Sequence, residues 1–107
     1  MTRVFVYGTL VIESIRRRIA PSARVVGGAY LEGWRRTERG GLPNIERETV
    51  PGEGILGVLL EVDREDLAAL DYYEGVEVGL YRREKVKVDV GAESIDADVY
   101  VMGSGSW

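Results

Sequence analysis

Val4-Phe5-Val6-Tyr7 is an apolar, β-prone run, and Gly8-Thr9-Leu10 brings it to a stop. Such a run bounded by a glycine predicts a strand that opens the domain. Beyond it the period changes. Ile12, Ile15 and Ile19 fall at i, i+3 and i+7, one face of a short helix that Pro21 ends. A Gly-Thr junction between strand and helix lets the backbone turn and can present N–H groups to a bound anion or carbonyl. Taken alone, such a junction is more often just a turn. Arg16, Arg17 and Arg18 lie near the end of the helix. They form either an anion site or a solvated end whose charge complements the helix dipole, and the second is the expectation.

Farther along, Val25, Val26, Ala29, Tyr30 and Leu31 make a second β-prone stretch, interrupted by Gly27-Gly28. Paired glycines inside a strand predict a bulge or a sharp bend, as at a barrel corner. Residues 35–54 are dense in charge, Gly and Pro and predict long turns around one short strand near Leu42 to Ile45. Ile55 to Val62 is nearly continuous in apolar residues and predicts a buried central strand. Asp63 is placed as an N-cap, with Glu65 and Asp66 in the first turn and Gly75 as the residue that ends the helix. Leu80 to Val90 and Ser94 to Met102 alternate apolar and polar residues around Gly91, the pattern of a hairpin with one buried face. Strands predominate and two helices are available to cover them. The expected fold is therefore α+β, a small mixed β-barrel or strongly curved sheet with two main helices. One domain is expected over residues 1–107, with 103–107 as a mobile tail.

Composition narrows the chemistry. The chain has 107 residues, 45 % apolar and 30 % charged, and 14 basic against 18 acidic side chains leave a net charge of −4. That is the profile of one globular domain. No stretch approaches the roughly 20 apolar residues that span a bilayer, and no segment has the form of a signal peptide. A cytoplasmic protein is expected. Net negative charge argues against a nucleic-acid partner. There is no cysteine and no histidine, which removes disulfides, thiolate and imidazole metal ligands, and every Cys- or His-based nucleophilic device. Acid–base chemistry must fall to Asp, Glu, Tyr or one of two lysines, Lys85 and Lys87.

Among the carboxylates Glu74 stands out. With Leu67 at 0° on a helical wheel, Leu70 falls at about 300°, Asp71 at about 40° and Glu74 at about 340°. Glu74 thus lies between two leucines, in the last turn, where burial and the carbonyl end of the helix both disfavour the charged form. Either it is a base tuned toward neutral pH, or it forms a buried ion pair with Arg82 or Arg83. Alternation counted back from Val86 puts Arg82 on the core face, where it needs a carboxylate such as Glu74 or Asp71. Tyr81 and Tyr100 can supply hydroxyl donors or pack as ordinary tyrosines.

Together, Val4 to Leu10, Gly57, Leu70-Asp71 with Glu74-Gly75, Leu80-Tyr81-Arg82-Arg83 and the valine-alternating hairpin resemble the γ-glutamylcyclotransferase-like family. Its members include γ-glutamylamine cyclotransferases and AIG2-like proteins, and the likeness runs in order from about Val4 to Val101. The resemblance implies a mixed β-barrel with a cavity and a Tyr-Gly-(Ser/Thr)-Leu loop that holds a γ-glutamyl group. It also implies a glutamate base that converts a γ-glutamyl amine or peptide to 5-oxoproline and free amine. By motif match the catalytic role falls on Glu74 and substrate binding on Tyr7, Gly8, Thr9 and Leu10, with Tyr81 beside them. Neither metal nor cofactor is implied, and the partner is a small-molecule γ-glutamyl substrate. After Leu10, Val11-Ile12-Glu13-Ser14-Ile15 replaces the polar, glycine-containing stretch of the γ-glutamylamine enzymes, which leaves the leaving group open. The alternatives are a non-catalytic binding module of the same fold and an enzyme acting on a carrier-bound γ-glutamyl group.

Overall fold

The computed structural model describes residues 1–103. In chain order its elements are β1 (Thr2–Val6), a 3-10 turn (Thr9–Val11), α1 (Glu13–Ile19), β2 (Arg24–Glu32), β3 (Trp34–Arg39), β4 (Leu42–Arg47), β5 (Gly54–Val62), α2 (Arg64–Tyr73), β6 (Tyr81–Val90) and β7 (Glu93–Met102). Five strands close a barrel in the order β1-β5-β2-β6-β7, and β3-β4 form a separate two-stranded sheet. The closing pair, β1 with β7, is parallel, with Val4 opposite Asp98 and Phe5 opposite Val99. The other barrel pairs are antiparallel. The mixed barrel with two α-helices is the expected α+β architecture. Among the described residues no helix is long and apolar enough to cross a membrane.

The unbroken apolar run at the start of the chain has a structural reason. Side chains alternate across a strand, and each face of β1 meets a different core. Phe5 and Tyr7 point into the barrel with Leu31, Leu59, Val88 and Val99. Val4 and Val6 point outward, into the layer that Leu10, Leu60 and Leu70 share beneath the helices. Gly57 permits the closeness of β1 and β5. A Cβ there would overlap the Val6 carbonyl oxygen and come within 2.7 Å of the Phe5 ring. The expected bulge at the paired glycines is present, since the β2–β5 register shifts between Val25 and Gly27.

Three expectations are corrected. Residues 35–54 hold a regular hairpin, not one short strand between long turns. Its β3 strand is polar enough to hide in the sequence, and Gly40 and Gly41, both at positive φ, form the two-residue turn that joins it to β4. The isoleucine face of α1 is only partly buried: Ile15 is half-buried and Ile19 packs against the layer that holds Val4, Leu10 and Leu70. Ile12 precedes the helix as its N-cap and is exposed, and Arg16, about 40° away on the same face, is the residue of the helix that is buried. Finally, Arg82 does share a strand face with Val86, yet it is exposed at the barrel rim, where it pairs with Glu84 at 3.2 Å. Gly103, placed at the start of a mobile tail, donates its N–H to the Leu80 carbonyl and accepts from Arg39. The remainder of that tail, residues 104–107, lies outside the described residues.

Candidate active site

Asp63 caps α2 by accepting from the Asp66 N–H at 2.8 Å, and Asp66 in turn accepts from the Ser22 N–H at 2.8 Å. The helix is thereby fixed at its start. Its end is fixed by a Schellman motif: the Val76 N–H donates to the Asp71 carbonyl and the Gly75 N–H to the Tyr72 carbonyl, with Gly75 at φ +69°. Leu70 and Val76 pack in the same cluster, which supplies the apolar contact of that motif. Glu74 is the C-cap residue and is carried by this rigid terminus rather than by a loose loop.

Glu74 lines a cavity of about 210 Å³ together with Tyr7, Gly8, Thr9, Leu10 and Tyr81. The structure brings all six predicted site residues into one place. Tyr100 from β7, already considered as a hydroxyl donor, lines it too, as do Phe5, Val6 and Leu80, and residues without a site role in the sequence reading complete the wall: Leu42 and Pro43 from the β3–β4 hairpin and Tyr73 from α2. The volume is below the roughly 300–1,000 Å³ of clefts for drug-sized ligands, so the cavity suits a group of amino-acid size or one end of a larger molecule.

The phenols are held in fixed positions. Tyr7 donates its hydroxyl to the Tyr100 carbonyl at 2.7 Å, and Tyr81 donates to the Pro43 carbonyl, tying the hairpin over the barrel end. The Thr9 and Tyr73 hydroxyls are 2.8 Å apart, a link between the loop and the end of α2. Tyr100 donates to Asp71 at 2.6 Å. Asp71 also receives Arg83 at 3.0 Å, and Arg83 reaches on to the buried Asp98 at 2.9 Å.

Those pairings decide the fate of Glu74. Arg83 is taken by Asp71 and Asp98 and Arg82 by Glu84, so the expected ion-pair partners lie elsewhere. Among the described residues Glu74 makes no ion pair, and it is the one carboxylate lining the cavity. Burial, with no cation to offset it, pushes its carboxyl up to about 7. Burial also raises the Tyr7 and Tyr81 phenols, and the nearby Glu74 charge raises them further. They remain neutral donors throughout the range in which Glu74 titrates.

The loop opposite is a 3-10 turn whose amino end carries no side-chain cap. Its bonds run from the Val11 N–H to the Gly8 carbonyl and from the Ile12 N–H to the Thr9 carbonyl. The amides of Thr9 and Leu10 precede the first of them and are left over.

Over residues 4–106 the chain matches the family described as gamma-glutamyl cyclotransferase, AIG2-like. It belongs to that family. A solved structure named gamma-glutamyl cyclotransferase shares 26 % identity with this AIG2-like chain, covering 94 % of it and 66 % of the other, at a TM-score of 0.84. An uncharacterized protein from Homo sapiens shares 24 %, covering 96 % and 67 %, at 0.85. An AIG2-like protein from Mus musculus shares 22 %, covering 99 % and 80 %, at 0.77. The last two likenesses show the shared fold. This AIG2-like chain spans about two thirds of the length of the first two proteins. No curated protein matches it in sequence.

Proposed function

We propose that the protein is a cyclotransferase that converts a γ-glutamyl amine or peptide to 5-oxoproline and the free amine. One observation carries this reading: an unpaired carboxylate with a near-neutral pKa lines the same small cavity as the Tyr7–Leu10 loop. The substrate's γ-glutamyl end is zwitterionic, and its two charges need different partners. The α-carboxylate sits against the free amides of the loop. The α-ammonium faces Glu74, which accepts its proton.

The freed nitrogen then attacks the γ-carbonyl carbon of the same molecule. A C–N bond closes the five-membered ring and the scissile C–N bond breaks. Glu74 passes on to the departing amine both protons that the ring nitrogen sheds, one before the attack and one after it, so the lactam keeps a single N–H and the amine leaves as its ammonium. Atoms balance without water, and one residue serves as base and then as acid. Because nucleophile and electrophile share one molecule, the protein's main tasks are to hold the folded-back shape and to relay protons from the ring nitrogen to the leaving amine. A group with its pKa near 7 is suited to both directions of transfer.

The test is release of 5-oxoproline from a panel of γ-glutamyl amines and peptides. Glu74→Gln keeps the size of the side chain but cannot accept the proton, so turnover is expected to fall by about 10²–10⁴-fold while 5-oxoproline binding survives. Normal turnover in that variant overturns the assignment of the base.

A further inference from the structure

Arg16 is 9 % exposed, and among the described residues no carboxylate pairs with it. Its neighbour Arg17, by contrast, pairs with Glu13 at 2.8 Å. A buried guanidinium without a counter-ion needs an explanation. One nitrogen, Nη1, donates to the Leu10 and Val11 carbonyls at 3.2 Å each, and Arg16 itself does not line the cavity.

Each of those carbonyls begins a chain of peptide groups. The Leu10–Val11 peptide accepts from Arg16 and passes its N–H, that of Val11, to the Gly8 carbonyl at 3.1 Å. The Gly8–Thr9 peptide ends in the free Thr9 N–H. In parallel, the Val11–Ile12 peptide accepts from Arg16 and donates the Ile12 N–H to the Thr9 carbonyl at 3.0 Å. The Thr9–Leu10 peptide ends in the free Leu10 N–H. Hydrogen bonds in series polarise one another, so the guanidinium charge makes both terminal amides better donors. It also places an uncompensated positive charge behind them.

We propose that Arg16 is a positioning residue for the substrate carboxylate, fixing and polarising the turn whose Thr9 and Leu10 amides hold that group. The substrate's own anion is then the missing counter-charge of the buried arginine. This rests on the proposed γ-glutamyl reading in placing the carboxylate at the loop, and it adds a residue from α1 that does not line the cavity.

The experiment compares binding of 5-oxoproline and of its neutral carboxamide to the parent, Arg16→Gln and Arg16→Lys, each shown folded by circular dichroism. For Arg16→Gln the affinity for 5-oxoproline is expected to fall about tenfold, the order of effect of a nearby charge on an anion, with the carboxamide changed less than about twofold. Arg16→Lys keeps the charge and restores most of the preference. A purely structural arginine would weaken both ligands alike, and that result overturns the proposal, as does an unchanged preference in Arg16→Gln or no 5-oxoproline binding by the parent. Should the Gln variant not fold, a Lys variant that has lost the preference also overturns it. The two readings separate cleanly: a parent that binds 5-oxoproline yet turns over no γ-glutamyl compound defeats the catalytic reading alone. Turnover with unaltered selectivity in Arg16→Gln defeats only the role of Arg16.

Discussion

Replacing Glu74 by Gln should change how stability depends on pH, and the structure sets the size of the effect. In the native protein burial raises the Glu74 carboxyl from its ordinary 4.5 to about 7, whereas in the unfolded chain it returns to the ordinary value. Below pH 4.5 both states hold the proton and Glu74 has no differential effect. Between 4.5 and about 7 the unfolded state loses the proton first and so binds fewer protons than the native state. Stability therefore falls as pH rises through this window and levels off above it. At about 1.4 kcal/mol per pH unit, the full separation corresponds to a penalty of about 3 kcal/mol at pH 8. Contact with solvent at the cavity mouth reduces this to the range of about 1–3 kcal/mol. Glutamine does not titrate. The variant should match the parent near pH 4 and exceed it by that amount at pH 8, as measured by urea unfolding followed by circular dichroism. The other carboxylates titrate alike in both proteins and cancel in the difference. A stability difference that stays flat from pH 4 to pH 8 refutes a desolvated, unpaired Glu74, and with it the physical basis of the proposed base.

Gly8→Val should leave the fold intact, because a Cβ at Gly8 meets only Pro43, at 3.9 Å. The branched side chain then projects between loop and hairpin, so binding of 5-oxoproline should be lost with the melting temperature little changed; unaltered binding rules out the loop as the cradle. Gly57→Ala should do the reverse, costing at least about 2 kcal/mol, since its methyl group has the Val6 carbonyl and the Phe5 ring in its way; thermal unfolding decides this. Turnover should be indifferent to a chelator, because the cavity presents one carboxylate among phenols, a poor donor set for a divalent ion. Activity lost to a chelator and restored by one divalent ion refutes the single-carboxylate mechanism.

What could be read from the sequence follows from where the deciding forces act. Glu74 was legible because its oddity is local: a carboxylate between two leucines, one residue before a helix-ending glycine. The barrel was legible because strands alternate and paired glycines bend them. The β3–β4 hairpin was missed because its stabilising contacts are tertiary. Arg-rich β3 carries little apolar pattern, and Asn44 of β4 is buried only because it accepts from the Met102 N–H at 2.9 Å. Gly40-Gly41 was the available signal, a two-residue turn between strands. Leu42, Pro43 and Tyr73 join the site through that same tertiary packing, which no spacing along the chain announces. Arg16 was hidden in another way. Its neighbours Arg17 and Arg18 are exposed, and a triplet of like charges gives no sign that the first is buried.

The hydrogen bond from Tyr7 to the Tyr100 carbonyl joins positions 93 residues apart, and the barrel closes by pairing the first strand with the last. During synthesis this makes the site a late event. The Tyr7–Leu10 loop is made before the wall it faces, which does not exist until β7 has emerged, so no nascent chain short of that length has the complete cavity. The free edge and apolar faces of β1 must wait for most of translation, a period of exposure in which aggregation competes with folding. Closure through such distant contacts also predicts slow folding for a chain of this size. Glu74 and its cavity come together only when β1 and β7 do.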